Sequence, residues 1–233
     1  MVDQFRVRTC FVGVGDFGAE RVEDGTESRD GSGQMVPSDD PAPSDVVVET
    51  GASVLADRFA SFDVVVVTGS VTEEGAVDTA ARIGDCCDPD AITVAIFTGE
   101  SRGPDRKRLE ASFGTVVSTA KRDVIREVVT DVFTAFTQPT MLETDYGRVR
   151  SNLRDGGSVS RHRAVGDRDD LTGLVAQCRG PGAVVLGYVE AGSAFTLRDA
   201  ERLEGRFERP EVVTGQATLD AESGCRLTLL RGD

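Results

Sequence analysis

Lysine is almost missing from this chain. Of 26 basic residues only Lys107 and Lys121 are lysines, against 40 Asp and Glu, a formal net charge of −14. Such a surface repels phosphate backbones and anionic headgroups, so nucleic acid and membrane surfaces are disfavoured as partners. The pairing of scarce Lys with abundant Asp reads as solvation in concentrated salt, where screening removes most of the self-repulsion. Long apolar runs are missing too: nothing approaches the roughly 20 residues of a membrane span, and no basic start followed by an apolar stretch marks a signal peptide. A cytoplasmic location is expected. The five cysteines, Cys10, Cys86, Cys87, Cys178 and Cys225, contain no CxxC spacing able to clamp zinc and read as buried free thiols. The one histidine, His162, stands between Arg161 and Arg163 and reads as solvated decoration of a strand.

With 233 residues the chain has room for one large or two small domains. The segment FRVRTCFV at 5–12 reads as a strand running into GVGDFG at 13–18, a glycine turn before a short helix at 19–22. Residues 23–45, rich in Asp, Ser, Gly and Pro, cannot bury enough apolar surface to fix a backbone and are expected to be a loop. A strand at 46–48 follows, then a helix spaced by Val54, Leu55, Phe59 and Phe62. The β-branched runs at 63–67 and 92–97 have no polar alternation, which places them in a parallel sheet covered on both faces. An Ala-rich helix at 74–83 lies between them, so the first half is βαβαβ and the fold class is α/β.

A charged helix at 104–113 and a short strand at 115–117 precede the strongest helix, 122–136. There Val124, Ile125, Val128, Val129, Val132, Phe133 and Phe136 make a broad apolar face. Beyond Pro139 the pattern becomes a helix at 145–153, strands at 158–165 and 183–189, a helix at 197–207, and a hairpin-like pair at 212–219 and 226–230. A smaller α+β domain is expected there.

Gly13-x-Gly15-x-x-Gly18 after a strand is chemically the most suggestive feature. Glycines let backbone N–H groups approach a phosphate, and a helix N-terminus favours negative charge. A dinucleotide-binding enzyme would also want an acidic residue on the second strand, and Glu49 is placed for that, 31 residues past the last glycine.

Taken together, the ordered segments resemble the FtsZ/tubulin-like family. VGVGDFGAERV at 12–22 looks like its first phosphate loop, and FDVVVVTG at 62–69 like the strand before the family's GGGTGTG signature loop. Residues 91–98 are similar to its LTVAVVT strand, and 138–150 to the segment RPGLINVDFADVR after the central helix. In the second half, 182–197 resembles GVLVNITGGPDLTL and 212–229 the terminal hairpin. The resemblance implies a parallel-sheet N-terminal domain with central helix over 1–137 and a C-terminal α+β domain over 138–233. It also implies GTP binding in the first domain, head-to-tail polymerisation, and hydrolysis completed by an acidic loop from the neighbouring subunit.

By the same resemblance Gly13, Gly15, Gly18, Thr68 and Gly69 stand at nucleotide-contacting positions and Asp145 at a catalytic carboxylate. The rest of the site departs from the pattern. SVTEEG at 70–75 replaces the signature loop and brings Glu73 and Glu74 towards a triphosphate, while Asp16 and Glu20 add negative charge. Glu143 and Arg148 replace two residues of the activating loop, Asp145 alone reads as a helix cap, and Arg122 stands near the guanine position where the family offers Asn. Because Arg231-Gly-Asp233 follows directly on the last expected strand, the family's flexible tail is not expected here.

The resulting expectation is a non-hydrolysing pseudo-GTPase with vestigial site residues and no bound cofactor. It would act through contacts with an FtsZ-type filament, another cell-division protein or copies of itself. The alternatives are an active GTPase holding GTP and Mg²⁺ in rebuilt loops, and an NAD-binding enzyme.

Overall fold

A computed structural model describes residues 8–27, 44–48, 59, 61–99, 103–137, 146–180, 182–207, 212–214 and 224–232. The chain divides into two compact units, Met1–Thr137 and Gln138–Asp233.

In the first unit five strands form one parallel array: β1 (Thr9–Gly13), β2 (Ser44–Val48), β3 (Val64–Ser70), β4 (Ile92–Thr98) and β5 (Thr115–Thr119), in the order β2-β1-β3-β4-β5. Every residue of β1, β3 and β4 is buried. Successive side chains point to opposite faces, so both faces must be covered. Cys10, Val12, Val65, Val67, Ala95 and Phe97 pack with α2 (Ala76–Asp85) and α3 (Pro104–Ser112). On alternate positions Phe11 meets Phe133 of α4 (Arg122–Thr137), ring centroids 5.3 Å apart. Helix α1 (Gly15–Glu27) packs against α4 as well. Burying each Val, Ile or Phe contributes about 1.5–3 kcal/mol, which is why uninterrupted β-branched runs settle here.

The expected short helix at 19–22 is corrected to 13 residues, Gly15–Glu27. Once its first turn is pinned to the sheet, each added residue gains a hydrogen bond, and the polar composition of 23–27 does not stop it. Residues 28–43 and the helix expected around Val54 and Leu55 lie outside the described residues. Helix α3 buries only Leu109, and Arg106 pairs with Glu110 one turn on at 2.8 Å, so its charges are a solvated face.

The second unit contains α5 (Tyr146–Arg154), β6 (Gly157–Asp167), a 3₁₀ turn (Arg168–Asp170), α6 (Leu171–Gln177), β7 (Val184–Ala191), α7 (Leu197–Glu204), β8 (Val212–Thr214) and β9 (Gly224–Gly232). The expected terminal hairpin is corrected. Strand β9 runs antiparallel between β6 and β7, while β8 pairs parallel with β7. Leu227, Leu229 and Leu230 of β9 are buried, as befits a strand paired on both sides, and the three-residue β8 takes the outer place. Helix α6, absent from the expectation, is short, yet Leu171 and Leu174 bury against Leu203, Leu227 and Leu229. Among the described residues no helix is long and apolar enough to cross a membrane.

Candidate functional site

The end of β1 delivers the chain into the glycine turn, and close packing dictates most of its glycines. A Cβ on Gly13 would stand 2.4 Å from the Ala19 backbone, and one on Gly18 2.2 Å from the Thr68 carbonyl oxygen. Real Cβ atoms do not approach so closely, so these two glycines let α1 lie directly on β1 and β3. The Thr68 carbonyl accepts the Val14 N–H at 2.8 Å, and a Cβ on Gly69 would strike Val14 and Phe97. Thus Gly13, Gly18, Thr68 and Gly69 join helix to sheet.

Gly15 differs. Its φ of +72° is a left-handed conformation that side chains disfavour, and a Cβ there would lie 2.2 Å from Glu73 Oε2. Glu73 belongs to the loop 70–75 between β3 and α2, and its Oε1 accepts the Phe17 N–H at 3.0 Å. The first N–H groups of a helix have no intrahelical acceptor, and the residue before α1 is Val14, which offers no side-chain oxygen. Glu73 therefore caps α1 from another segment, with its negative charge at the positive end of the helix dipole. Its second oxygen, Oε2, is fully buried beside Gly15 and has no hydrogen-bond partner among the described residues. A resident carboxylate thus fills the one glycine position of the turn that faces away from the sheet.

The loop is tied down at several points. Val71 N–H donates to the Thr98 carbonyl at 3.0 Å, Glu73 N–H to the Ser70 carbonyl at 3.2 Å, and the Ser70 and Thr72 hydroxyls lie 2.8 Å apart. From the first turn of α4, Arg122 reaches Thr72 Oγ1 at 3.5 Å, and its guanidinium lies 5.1 Å from the Phe17 ring centroid. Arg21 covers the same ring at 5.2 Å. Asp16, Glu20 and Glu74 face solvent, and Glu20 pairs with Arg21 at 3.3 Å. Of the two loop glutamates only Glu73 turns inward.

Arg122, expected near a guanine position, is thus found on Phe17 and the loop. Phe17, Arg21 and Thr72 belong to this cluster and lie outside the sequence-based expectation. A buried aromatic inside a glycine turn, opposite a cation at a helix start, was the available signal. Asp145, Glu143 and Glu49 lie outside the described residues; Arg148 is exposed on α5. His162 lies in β6 with its ring against Gly180. Cys10, Cys178 and Cys225 are buried as expected, whereas Cys86 and Cys87 are only half-buried at the end of α2. Burial pushes the Cys87 and Cys225 thiols up to about 12 and Cys178 to about 11.

In the second unit a shallow pocket of about 280 Å³ is lined by Arg168, Asp169, Thr196, Arg198, Asp199 and Arg202. Of its two carboxylates, Asp199 is committed locally. Asp199 Oδ2 accepts the Thr196 hydroxyl at 2.7 Å and the Thr196 N–H at 3.0 Å, while Arg168 and Arg202 lie 3.7 and 3.4 Å away. The Thr196 hydroxyl, foremost, holds the Asp199 carboxyl below the usual range.

A parallel array of five strands with helices on both faces, entered through a glycine turn and followed by a long helix, and a mixed array of strands in the second unit, have well-matched counterparts. FtsZ from M. jannaschii, as an empty dimer, superposes with a TM-score of 0.73 at 12% identity, covering 100% of this chain and 90% of that one. The chain has the FtsZ/tubulin fold. A W319Y mutant of the same FtsZ gives 0.72 at 13% identity over 97% and 91% of the two chains. CetZ2 from Haloferax volcanii, solved as a GTPγS-bound protofilament, gives 0.66 at 14% identity over 97% and 93%. No family profile and no curated protein matches the sequence. At such identities the FtsZ/tubulin fold is what is shared; the loops that carry chemistry must be read from this chain's own residues.

Proposed function

We propose that this chain is a pseudo-GTPase on the FtsZ/tubulin fold, which neither hydrolyses nor holds GTP and works through protein contacts in cell division or the regulation of cytoskeletal filaments. The observation that carries this reading is the Glu73 carboxylate on the Phe17 N–H, against Gly15. A phosphate needs the same N–H groups and the same approach to a glycine backbone. Two unit charges at about 4 Å repel by roughly 4 kcal/mol at an effective dielectric of 20, so the resident carboxylate and a phosphate exclude one another. The residues present therefore do not fit GTP with Mg²⁺, and no catalytic step is assigned to Asp145.

Contacts are the work left to such a scaffold. The solved relatives include a dimer and a protofilament, which supports self-association or joining an FtsZ-type filament. The acidic, Lys-poor surface supports operation in concentrated salt. Fluorescent GTP binding and phosphate release in molar KCl with Mg²⁺, run beside co-sedimentation with an active filament protein, test the proposal. It expects neither nucleotide signal and a pelleted complex. Saturable GTP binding with turnover establishes the rival reading of an active GTPase.

A further inference from the structure

The plug has its own fastening, which lies outside the glycine turn. Loop 70–75 is anchored at its start, where Val71 N–H bonds the Thr98 carbonyl, and it ends at Gly75, φ +75°, around which a side chain would meet nothing within 4 Å. Between these points stand Thr72, Glu73 and Glu74. The loop's own hydrogen bonds shape it as a turn, but they do not press it onto α1. Among the described residues two contacts do: Glu73 on the Phe17 N–H, and Arg122, which touches Thr72 with one nitrogen while its guanidinium lies over the Phe17 ring. Arg122 thereby bridges both sides of the seam from a third element, α4, and it is exposed, so its grip is open to competition from solvent and partners.

We propose that Arg122 is a positioning residue that straps loop 70–75 over the α1 N-terminus, so that the Glu73 plug opens about Gly75 when that guanidinium is withdrawn. The inference rests on the plug described under Proposed function. It adds a regulatory device: the first turn of α4 sets whether the plug is seated.

Native-state amide exchange of the full chain in molar KCl tests it, because the Phe17 N–H is protected by Glu73. Arg122→Gln, which keeps a good helix former at that position, is expected to speed Phe17 exchange by about fivefold, the size of one exposed cation–π contact, with Val66 and Ala95 in the core sheet unchanged. Arg122→Lys, which keeps the charge over Phe17 and loses the planar fork, is expected to fall between Arg122→Gln and the native chain. Phe17 exchange that stays unchanged in Arg122→Gln overturns the strap. An equal rise at Val66 and Ala95 overturns it too, since Arg122 would then support the whole unit. Glu73→Ala is the separate control: if it leaves Phe17 exchange unchanged, the plug itself is wrong, whatever Arg122 does.

Discussion

The Glu73 carboxylate accepts the Phe17 N–H at 3.0 Å across 56 residues of chain. A helix whose preceding residue is Val14 thus obtains its cap from the loop after β3. Removing a capping side chain typically costs about 0.5–2 kcal/mol. Glu73→Ala is accordingly expected to lose about 1 kcal/mol in denaturant unfolding in molar KCl, where screening mutes any gain from deleting a negative charge. Glu74→Ala, on the exposed side of the same loop, is expected to change stability by less than about 0.5 kcal/mol.

Gly15 and Glu73 are expected to be coupled energetically. Gly15→Ala puts a Cβ where Glu73 Oε2 lies and imposes a positive φ on alanine, a cost of about 1–2 kcal/mol from the backbone alone. Part of the remaining loss is expected to vanish when Glu73 is also alanine, giving a coupling of at least about 0.5 kcal/mol in a double-mutant cycle. Gly18→Ala strikes the Thr68 carbonyl instead, so Glu73→Ala is expected to give it no relief.

How far the sequence could be read differs sharply between these two glutamates and the strands around them. Val64–Ser70 and Ile92–Thr98 were legible because an unbroken β-branched run has one low-energy place, inside a two-faced parallel sheet. The acidity of loop 70–75 was legible as well. Which glutamate turns inward was not, since that depends on Gly15, Phe17 and Thr72 meeting across the fold. The place of β9 between β6 and β7 was hidden likewise, because adjacent strands in sequence favour a hairpin until the pairing partners are known. Helix α6 is not legible in the sequence because in seven residues only Leu171 and Leu174 are deeply buried, too few to mark a helical period.

The Asp199 carboxyl, with Thr196, forms the capping box of α7 and is held below its ordinary range chiefly by the Thr196 hydroxyl. A carboxyl depressed on folding contributes stability that is present above its unfolded value, 3.8, and lost as pH falls below it. Acid unfolding followed by circular dichroism is expected to show this branch. Asp199→Asn, which keeps an acceptor but removes the charge from the first turn of α7, is expected to flatten it and to cost about 0.3–1 kcal/mol at neutral pH.

Thiol chemistry is expected to be selective. With Cys87 and Cys225 near 12, only roughly one molecule in ten thousand carries either thiolate at pH 8. Brief iodoacetamide treatment of the native protein is expected to label Cys86 first, with Cys10, Cys178 and Cys225 appearing only on unfolding. Mass spectrometry of the digest checks the order, and prompt labelling of Cys225 would contradict its burial.

The central claim is that a carboxylate of the chain itself holds the place of a phosphate, and a crystal structure grown in high KCl with guanosine triphosphate and Mg²⁺ addresses it most directly. The account predicts Glu73 on the Phe17 N–H and no nucleotide density at 13–18. A triphosphate lying along that turn, with Glu73 swung out to solvent, would contradict it.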